Sequence, residues 1–300
     1  EMKCAIGLTN NKCDIAVISD DGDFAFEACF FLPESYSEFL SLLSQEISKA
    51  DPSAEIHAIG VSLAADFHLS GGQIACPSFP LLHGQRLKAD LQAGLNRKIS
   101  IANPAQMLAN YASHKSEYAA ARQIFSLYMD DAVLSGQLVH GKLLMGANGL
   151  AGNWGHIALP WPVEFELEAR ECECGHTGCL GAFVSRTALS QEYRHLSEKT
   201  LSAEEIFRQA AQGDIVAESA VQIFEDRLAR GLAMVINLCD PDIILLSGRM
   251  SQYDRLLVNI PRKWPGYIAG RIPNTRLIAP FPSEEEAQKA SLFGAAMLGE

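Results

Sequence analysis

The sequence predicts an α/β protein built from two similar halves. A block of three short β segments followed by helices begins near the N-terminus and recurs from residue 123. The chain has 300 residues, 48% of them hydrophobic and 20% charged, a composition that folds and can fill two cores. The boundary is expected in the polar stretch around residues 115–122. This gives an N-terminal domain of residues 1–118, completed by a C-terminal helix at 283–300, and a C-terminal domain of residues 119–282.

Cys4–Leu8 and Asp14–Ser19 read as strands joined by Thr9-Asn10-Asn11-Lys12, where the asparagines supply turn chemistry. Asp20-Asp21-Gly22 turns the chain into a third strand, Phe24–Phe31. Over Tyr36–Ala50 the apolar residues Phe39, Leu40, Leu42, Leu43 and Ile47 recur with a helical period. Ile56–Leu63 reads as a buried strand, Leu87–Leu95 as a helix and Ile99–Ala102 as a short strand. A helix over Ala105–Tyr118 starts after Pro104, a residue suited to the first turn. The second block runs Gln123–Met129, Ala132–Val139 and Lys142–Met145, followed by the Gly-rich run Gly146–Gly152. Helices are expected at Ser185–His195, Ala203–Gln212, Ile215–Leu238 and Ser283–Leu298, with an apolar strand at Ile243–Leu246.

The net charge of −12, without a basic cluster, argues against nucleic-acid binding. No segment approaches the ~18 apolar residues of a membrane span, and the first residues carry no signal-like apolar run, so a cytoplasmic protein is expected. Of the eight cysteines, Cys4, Cys13, Cys29, Cys76 and Cys239 are scattered among apolar neighbours and read as buried small hydrophobes. The run Glu164, Glu166, Glu168, Glu171 reads as a solvated face.

The other three cysteines form Cys172-Glu173-Cys174-Gly175-His176-Thr177-Gly178-Cys179, with His156 sixteen residues before the first. Three thiols and an imidazole at this spacing match a closed tetrahedral zinc site, expected on His156, Cys172, Cys174 and Cys179. Such a site has no open coordination position, so the expected metal is structural.

The Gly-rich run ending in Asn153-Trp154-Gly155-His156, the knuckle, and the later stretch Asn237–Ser251 together resemble the ROK group (repressor, open reading frame, kinase) of sugar kinases and regulators. Within it they most resemble the bacterial fructokinase/mannokinase branch. The resemblance implies an actin-like (ribonuclease H-like) two-domain sugar-kinase fold with an interdomain cleft. It also implies a homodimer or a dimer with a family member, and a hexose as substrate. Regulatory members carry an added helix-turn-helix, which this chain, starting at its first strand, is expected to lack.

Phosphoryl transfer needs a base, phosphate donors, a metal anchor and sugar contacts. The family's base is an Asp directly after an Asn; here the pair is Asn103-Pro104, and the nearest acidic residues in sequence are Asp90 and Glu117. The first phosphate loop, Asp-x-Gly-Gly-Thr in the family, aligns with Gly7-Leu8-Thr9-Asn10-Asn11. The second, Gly-Thr-Gly-x-Gly, aligns with Asp130-Asp131-Ala132-Val133-Leu134, placing two carboxylates where phosphate oxygens would sit. Of the sugar-binding carboxylates, one aligns with Asn153 and another with Gly181; in the adenine region a glycine run has become Ser247-Gly248-Arg249.

The expectation is therefore a sugar-kinase homologue without catalytic or nucleotide-binding residues. It would act by ligand sensing or dimer contacts, with Asn103 and His156 left to touch a small sugar. Zn²⁺ is the expected cofactor, and neither nucleic acid nor membrane is an expected partner. The alternative is an active ATP- and Mg²⁺-dependent hexose kinase.

Overall fold

A computed structural model describes residues 1–168, 170–270 and 272–298. The first half contains β1 (Met2–Leu8), β2 (Lys12–Ser19), β3 (Phe24–Phe31), α1 (Tyr36–Ala50), β4 (Ala58–Leu63), a small hairpin of β5 (His68–Ser70) and β6 (Gln73–Ala75), α2 (Leu87–Leu95), β7 (Lys98–Ala102) and α3 (Pro104–Ser113). The second contains β8 (Gln123–Met129), β9 (Val133–Val139), β10 (Lys142–Leu144), α4 (Gly181–Val184), α5 (Arg186–Ser197), α6 (Ala203–Ala211), α7 (Ile215–Cys239), β11 (Ile243–Ser247), α8 (Asp254–Lys263), β12 (Arg276–Ile278) and α9 (Glu284–Leu298).

The two five-stranded sheets share one topology. Their strand orders are β3-β2-β1-β4-β7 and β10-β9-β8-β11-β12. In each, an antiparallel meander of three strands is extended by two strands parallel to its first. This duplication is the two-halved α/β architecture expected from the sequence.

Apolar residues of α1 and α2 (Phe39, Leu43, Ile47, Leu87, Leu91) cover one face of the first sheet. The outer face of the second sheet packs on α5, α6 and α7, with Phe125, Leu127, Phe224 and Leu228 in that core. Between the sheets lie α3 and α9. Leu292, Phe293 and Ala295 of α9 meet Ala5, Ala16 and Ile18, while Leu108, Ala109 and Ala112 of α3 meet Ile124, Leu138, Ile243 and Leu245. A Cβ on Gly136 of β9 would lie 2.6 Å from Gln106 Cα, so only glycine lets the start of α3 approach the second sheet this closely.

Several elements differ from expectation. The helix after Pro104 ends at Ser113; Lys115 is extended, and Ser116–Tyr118 is a separate 3₁₀ turn. Strand β12 is three residues long between Pro273 and Pro280, too short to show a period. Helix α8 contains Pro261, a residue that argues against helix in sequence. Cys4, Cys13 and Cys76 are buried, but Cys29 is exposed on the alternating outer face of β3, and Cys239 is only half-buried. The last helix is seen to Leu298; residues 299–300 lie outside the described residues. Among the described residues no helix is long and apolar enough to cross a membrane.

Candidate functional site: a cleft with a metal-ligand knuckle at one end

Buried Trp154 fixes the 3₁₀ turn Trp154–His156: its Nε1–H donates to Gly231 O of α7 at 2.8 Å, and its N–H donates to Ser135 Oγ at 3.2 Å. A β-bridge between Ala158 and Cys179 then draws the knuckle back beside this turn. Cys172 N donates to His176 O at 2.9 Å and Gly175 N to Cys172 O at 2.9 Å, curling the loop so that its thiols converge. Gly175 has a φ of +88°, which glycine adopts without strain.

The ligand atoms of His156, Cys172, Cys174 and Cys179 all lie within 4.8 Å of one another. His156 Nδ1 is 3.5 Å from Cys172 Sγ, and Cys174 Sγ is 3.7 Å from Cys179 Sγ. A tetrahedral centre with Zn–S of ~2.3 Å and Zn–N of ~2.05 Å sets sulfur–nitrogen and sulfur–sulfur separations of about 3.6 and 3.8 Å. The residues therefore fit a four-coordinate cation, and the 3.7 Å sulfur separation is no disulfide. The Cys179 thiol is pushed up to about 12, by burial first and then by the neighbouring thiols of Cys174 and Cys172. Cys174 falls to about 6 against its burial, through hydrogen bonds from His176, Cys172 and Cys179. His176 is exposed; its backbone carbonyl accepts from Cys172 N, and its Nδ1 lies 3.5 Å from Cys174 Sγ.

The knuckle is braced by buried charge. Glu166, expected on a solvated face, is instead buried: Arg227 Nε donates to it at 2.8 Å and Arg230 Nη2 at 2.7 Å. Glu192 accepts from Arg227 at 2.6 Å and from Arg170 at 2.7 Å, and Arg170 stands two residues before Cys172. Burial opposes ionisation of Glu166, but Arg230 and Arg227 outweigh it and hold the carboxyl down to about 2. A sequence with four glutamates at short spacing gives no sign of which one turns inward.

Asn103 and His156, the two residues singled out for sugar contact, line one cavity of 750 Å³ together with Gln106, Asn153 and Asp66. Asn103 caps α3: Gln106 N donates to Asn103 Oδ1 and Asn103 N to Gln106 Oε1, both at 2.9 Å. Asn103 Nδ2 also donates to Ser135 O at 3.2 Å, tying the cap to β9. Pro104 is the first residue of α3 and is buried. Sequence proximity points to Asp90 and Glu117 as the nearest acids; in space Asp66 is the carboxylate on this cavity's wall among the described residues. Its Oδ2 lies 2.7 Å from His156 Nε2, and this hydrogen bond raises the imidazole pKa against the opposing effect of burial.

At the other end of the cleft is a cavity of 580 Å³ lined by Thr9, Asn10, Lys12, Pro104, Asp130 and Arg249, among others. The turn between β1 and β2 is closed on itself: Thr9 N donates to Lys12 O at 3.1 Å and Thr9 Oγ1 to Asn11 Oδ1 at 3.0 Å. Asp130 and Asp131 are not the uncompensated pair that the sequence suggests. Arg249 donates to Asp130 from Nε at 2.9 Å and Nη2 at 2.5 Å. Arg186 donates to Asp131 from Nε at 3.1 Å and Nη2 at 2.9 Å, and Thr187 Oγ1 adds a bond at 2.9 Å. Burial opposes ionisation of Asp131, but these donors keep its carboxyl below the ordinary range, while the bond to Asp130 raises Arg249 further. Arg186 also holds Glu204, at 3.1 Å, and Arg249 Nε lies 3.8 Å from Glu284, so two guanidiniums are shared among four carboxylates. Asp130 and Asp131 of the second loop are thus engaged in an ion-pair network, and the network as a whole stays acidic.

Residues 4–300 match the ROK family along nearly the whole chain. This protein belongs to the ROK family. It is 26% identical over 239 residues to the N-acetyl-D-glucosamine kinase of Salmonella typhimurium, covering 78% of this chain and 79% of that one. The ROK hexokinase of Thermus thermophilus superimposes with a TM-score of 0.83 at 20% identity, covering 99% of both chains. The ROK glucokinase of Streptomyces griseus, solved with glucose and AMPPNP, superimposes with a TM-score of 0.76 at 18% identity, covering 100% of this chain and 99% of that one. The actin-like two-domain fold expected from the motifs is therefore the fold of this ROK protein.

Proposed function

We propose that this ROK protein is a non-catalytic relative of the family's sugar kinases. In this reading it binds a hexose-class ligand in the 750 Å³ cavity and signals by the relative position of its two lobes, residues 1–118 with α9 and residues 119–282. The observation that carries this reading is Pro104: the residue after Asn103 is a buried proline at the first turn of α3, without an ionisable group. A positioned base contributes roughly 10²–10⁴ in rate. The Thr9–Lys12 turn and the Asp130–Arg249 and Asp131–Arg186 pairs support it, since Thr9 N–H and both guanidiniums donate within the protein. Asn103 and the Asp66–His156 pair line the cavity and would give the ligand its polar contacts by sharing bonds they already make, and the family's other members make a sugar the expected class. The knuckle would hold one structural Zn²⁺ on His156, Cys172, Cys174 and Cys179, which fixes the loop without supplying a reactive position.

A coupled assay with ATP, Mg²⁺ and a hexose panel tests the reading, with calorimetry for binding. No turnover, with heat of binding for at least one hexose, is expected; steady phosphorylation of any of them sinks the reading.

Asp66 favours one second reading. It shares a cavity wall with Asn103 and His156, so in an active kinase it would be the base on the sugar hydroxyl. Asp66→Asn would then abolish a turnover that the wild type displays.

A further inference from the structure

We propose that Asp66 is a positioning residue for the metal knuckle, and that its hydrogen bond to His156 couples metal retention to closure of the two lobes. The inference rests on the metal reading of the knuckle given above. His156 uses its two ring nitrogens in opposite directions. Nδ1 faces Cys172 Sγ at 3.5 Å, within the converging ligand atoms. Nε2 faces Asp66 Oδ2 at 2.7 Å, the length of a charge-assisted bond. When Nδ1 gives its lone pair to a cation, Nε2 must carry the proton, and Asp66 is placed to accept it. A ligand histidine held this way has its tautomer and ring plane set by the partner, and losing such a partner typically costs 10–100-fold in metal affinity.

The partner here comes from the other lobe. Asp66 follows β4 on a loop anchored to the first sheet, where Ala64 N donates to Leu8 O at 2.9 Å and Ala65 N to Leu63 O at 2.9 Å. His156 stands on the turn fixed by Trp154 to α7 of the second lobe. One bond therefore spans the cleft from the first sheet to a knuckle ligand. Coupling between two equilibria is reciprocal. If the bond tightens the metal, the metal tightens the bond by the same factor, and the knuckle reports on lobe position. The bond also occupies the edge of His156 that faces the cavity shared with Asn103, so a polyol entering there must share or displace it.

The test uses the full chain as wild type, Asp66→Ala and Asp66→Asn. Bound zinc is counted first, then its release to a chromogenic chelator is followed, and the radius of gyration is measured by X-ray scattering before and after chelation. Asp66→Ala is expected to hold zinc 10–100-fold more weakly, and Asp66→Asn, which keeps an acceptor oxygen, to recover part of that loss. Chelation should expand the wild type, whereas Asp66→Ala should already be expanded and change little. Circular dichroism confirms that each variant is folded. Zinc retention in Asp66→Ala equal to wild type, or an equal expansion of both on chelation, overturns the coupling. Wild type that binds no zinc overturns the metal reading and this inference together. No heat with any hexose overturns only the sensing reading.

Discussion

The two ends of the cleft are built differently. At the knuckle end four ligand atoms converge within 4.8 Å, and a buried chain of ion pairs from Arg170 through Glu192 and Arg227 to Glu166 backs them. At the other end the stretches that align with the family's phosphate loops are held by the Thr9–Lys12 bond or by Asp130–Arg249 and Asp131–Arg186. Both ends are rich in ion pairs, although Arg227 Nη2 is buried at the knuckle end without a hydrogen-bond partner; one end turns its ligand atoms toward a common point, and the other pairs its guanidiniums with its own carboxylates. A site intended for a ligand leaves groups turned toward that ligand; a site without one pairs them internally.

The largest effect expected is on the knuckle side. Glu166→Ala leaves Arg227 and Arg230 buried without their shared acceptor, and removing one member of such a pair costs about 3–5 kcal/mol. Urea unfolding measures it; a loss within experimental error would mean that the network only decorates the knuckle. The same carboxyl makes the fold acid-sensitive. Its pKa is lowered to about 2 from 4.5, so its contribution is fully present above the unfolded value and is lost as pH falls from about 4.5 toward about 2. Melting temperature followed through that window should drop in the wild type more steeply than in Glu166→Gln.

Next is Cys179→Ser, which removes a buried ligand of the proposed metal site. Zinc content should fall from one equivalent toward zero, with a loss of about 3 kcal/mol, read as roughly 6–12 °C in melting temperature. A variant that melts like wild type would make the convergence of the four residues incidental.

At the other end, Arg249→Ala should cost about 2 kcal/mol, because Asp130 loses a charged bidentate donor at a mostly buried site while Arg186 stays nearby. A double-mutant cycle with Asp130→Ala isolates the pair, and a coupling near zero would remove the contrast between the two ends. The smallest change is expected from Pro104→Asp, which puts a carboxylate at the first turn of α3, where the helix dipole favours it by about 0.3–1 kcal/mol. Stability should barely move and no hexokinase activity should appear, since the closed phosphate turns remain. Turnover in this variant would show that the base alone was missing.

The knuckle is legible in the amino-acid sequence because its three thiols lie within eight residues and their loop is too short to send them apart. The strand blocks are legible for the same reason: period and turn residues act over a few positions. Asp66 is not legible as the acid nearest the Asn103 cavity, because 37 positions separate them and only the return of the chain through β7 brings both to one wall. The pairs Asp130–Arg249 and Asp66–His156 are likewise invisible locally, being joined across 119 and 90 positions.

By itself, then, the chain's order of residues determined the class of fold, its duplication, the convergence of the knuckle and the proline, not a carboxylate, that follows Asn103. All are properties of short windows, where backbone geometry leaves few choices. Only the tertiary structure decided which charges are neutralised, which glutamate is buried and which acid faces His156. Charge pairing depends on distances set by the packing of two sheets around α3 and α9, and no local pattern encodes those distances.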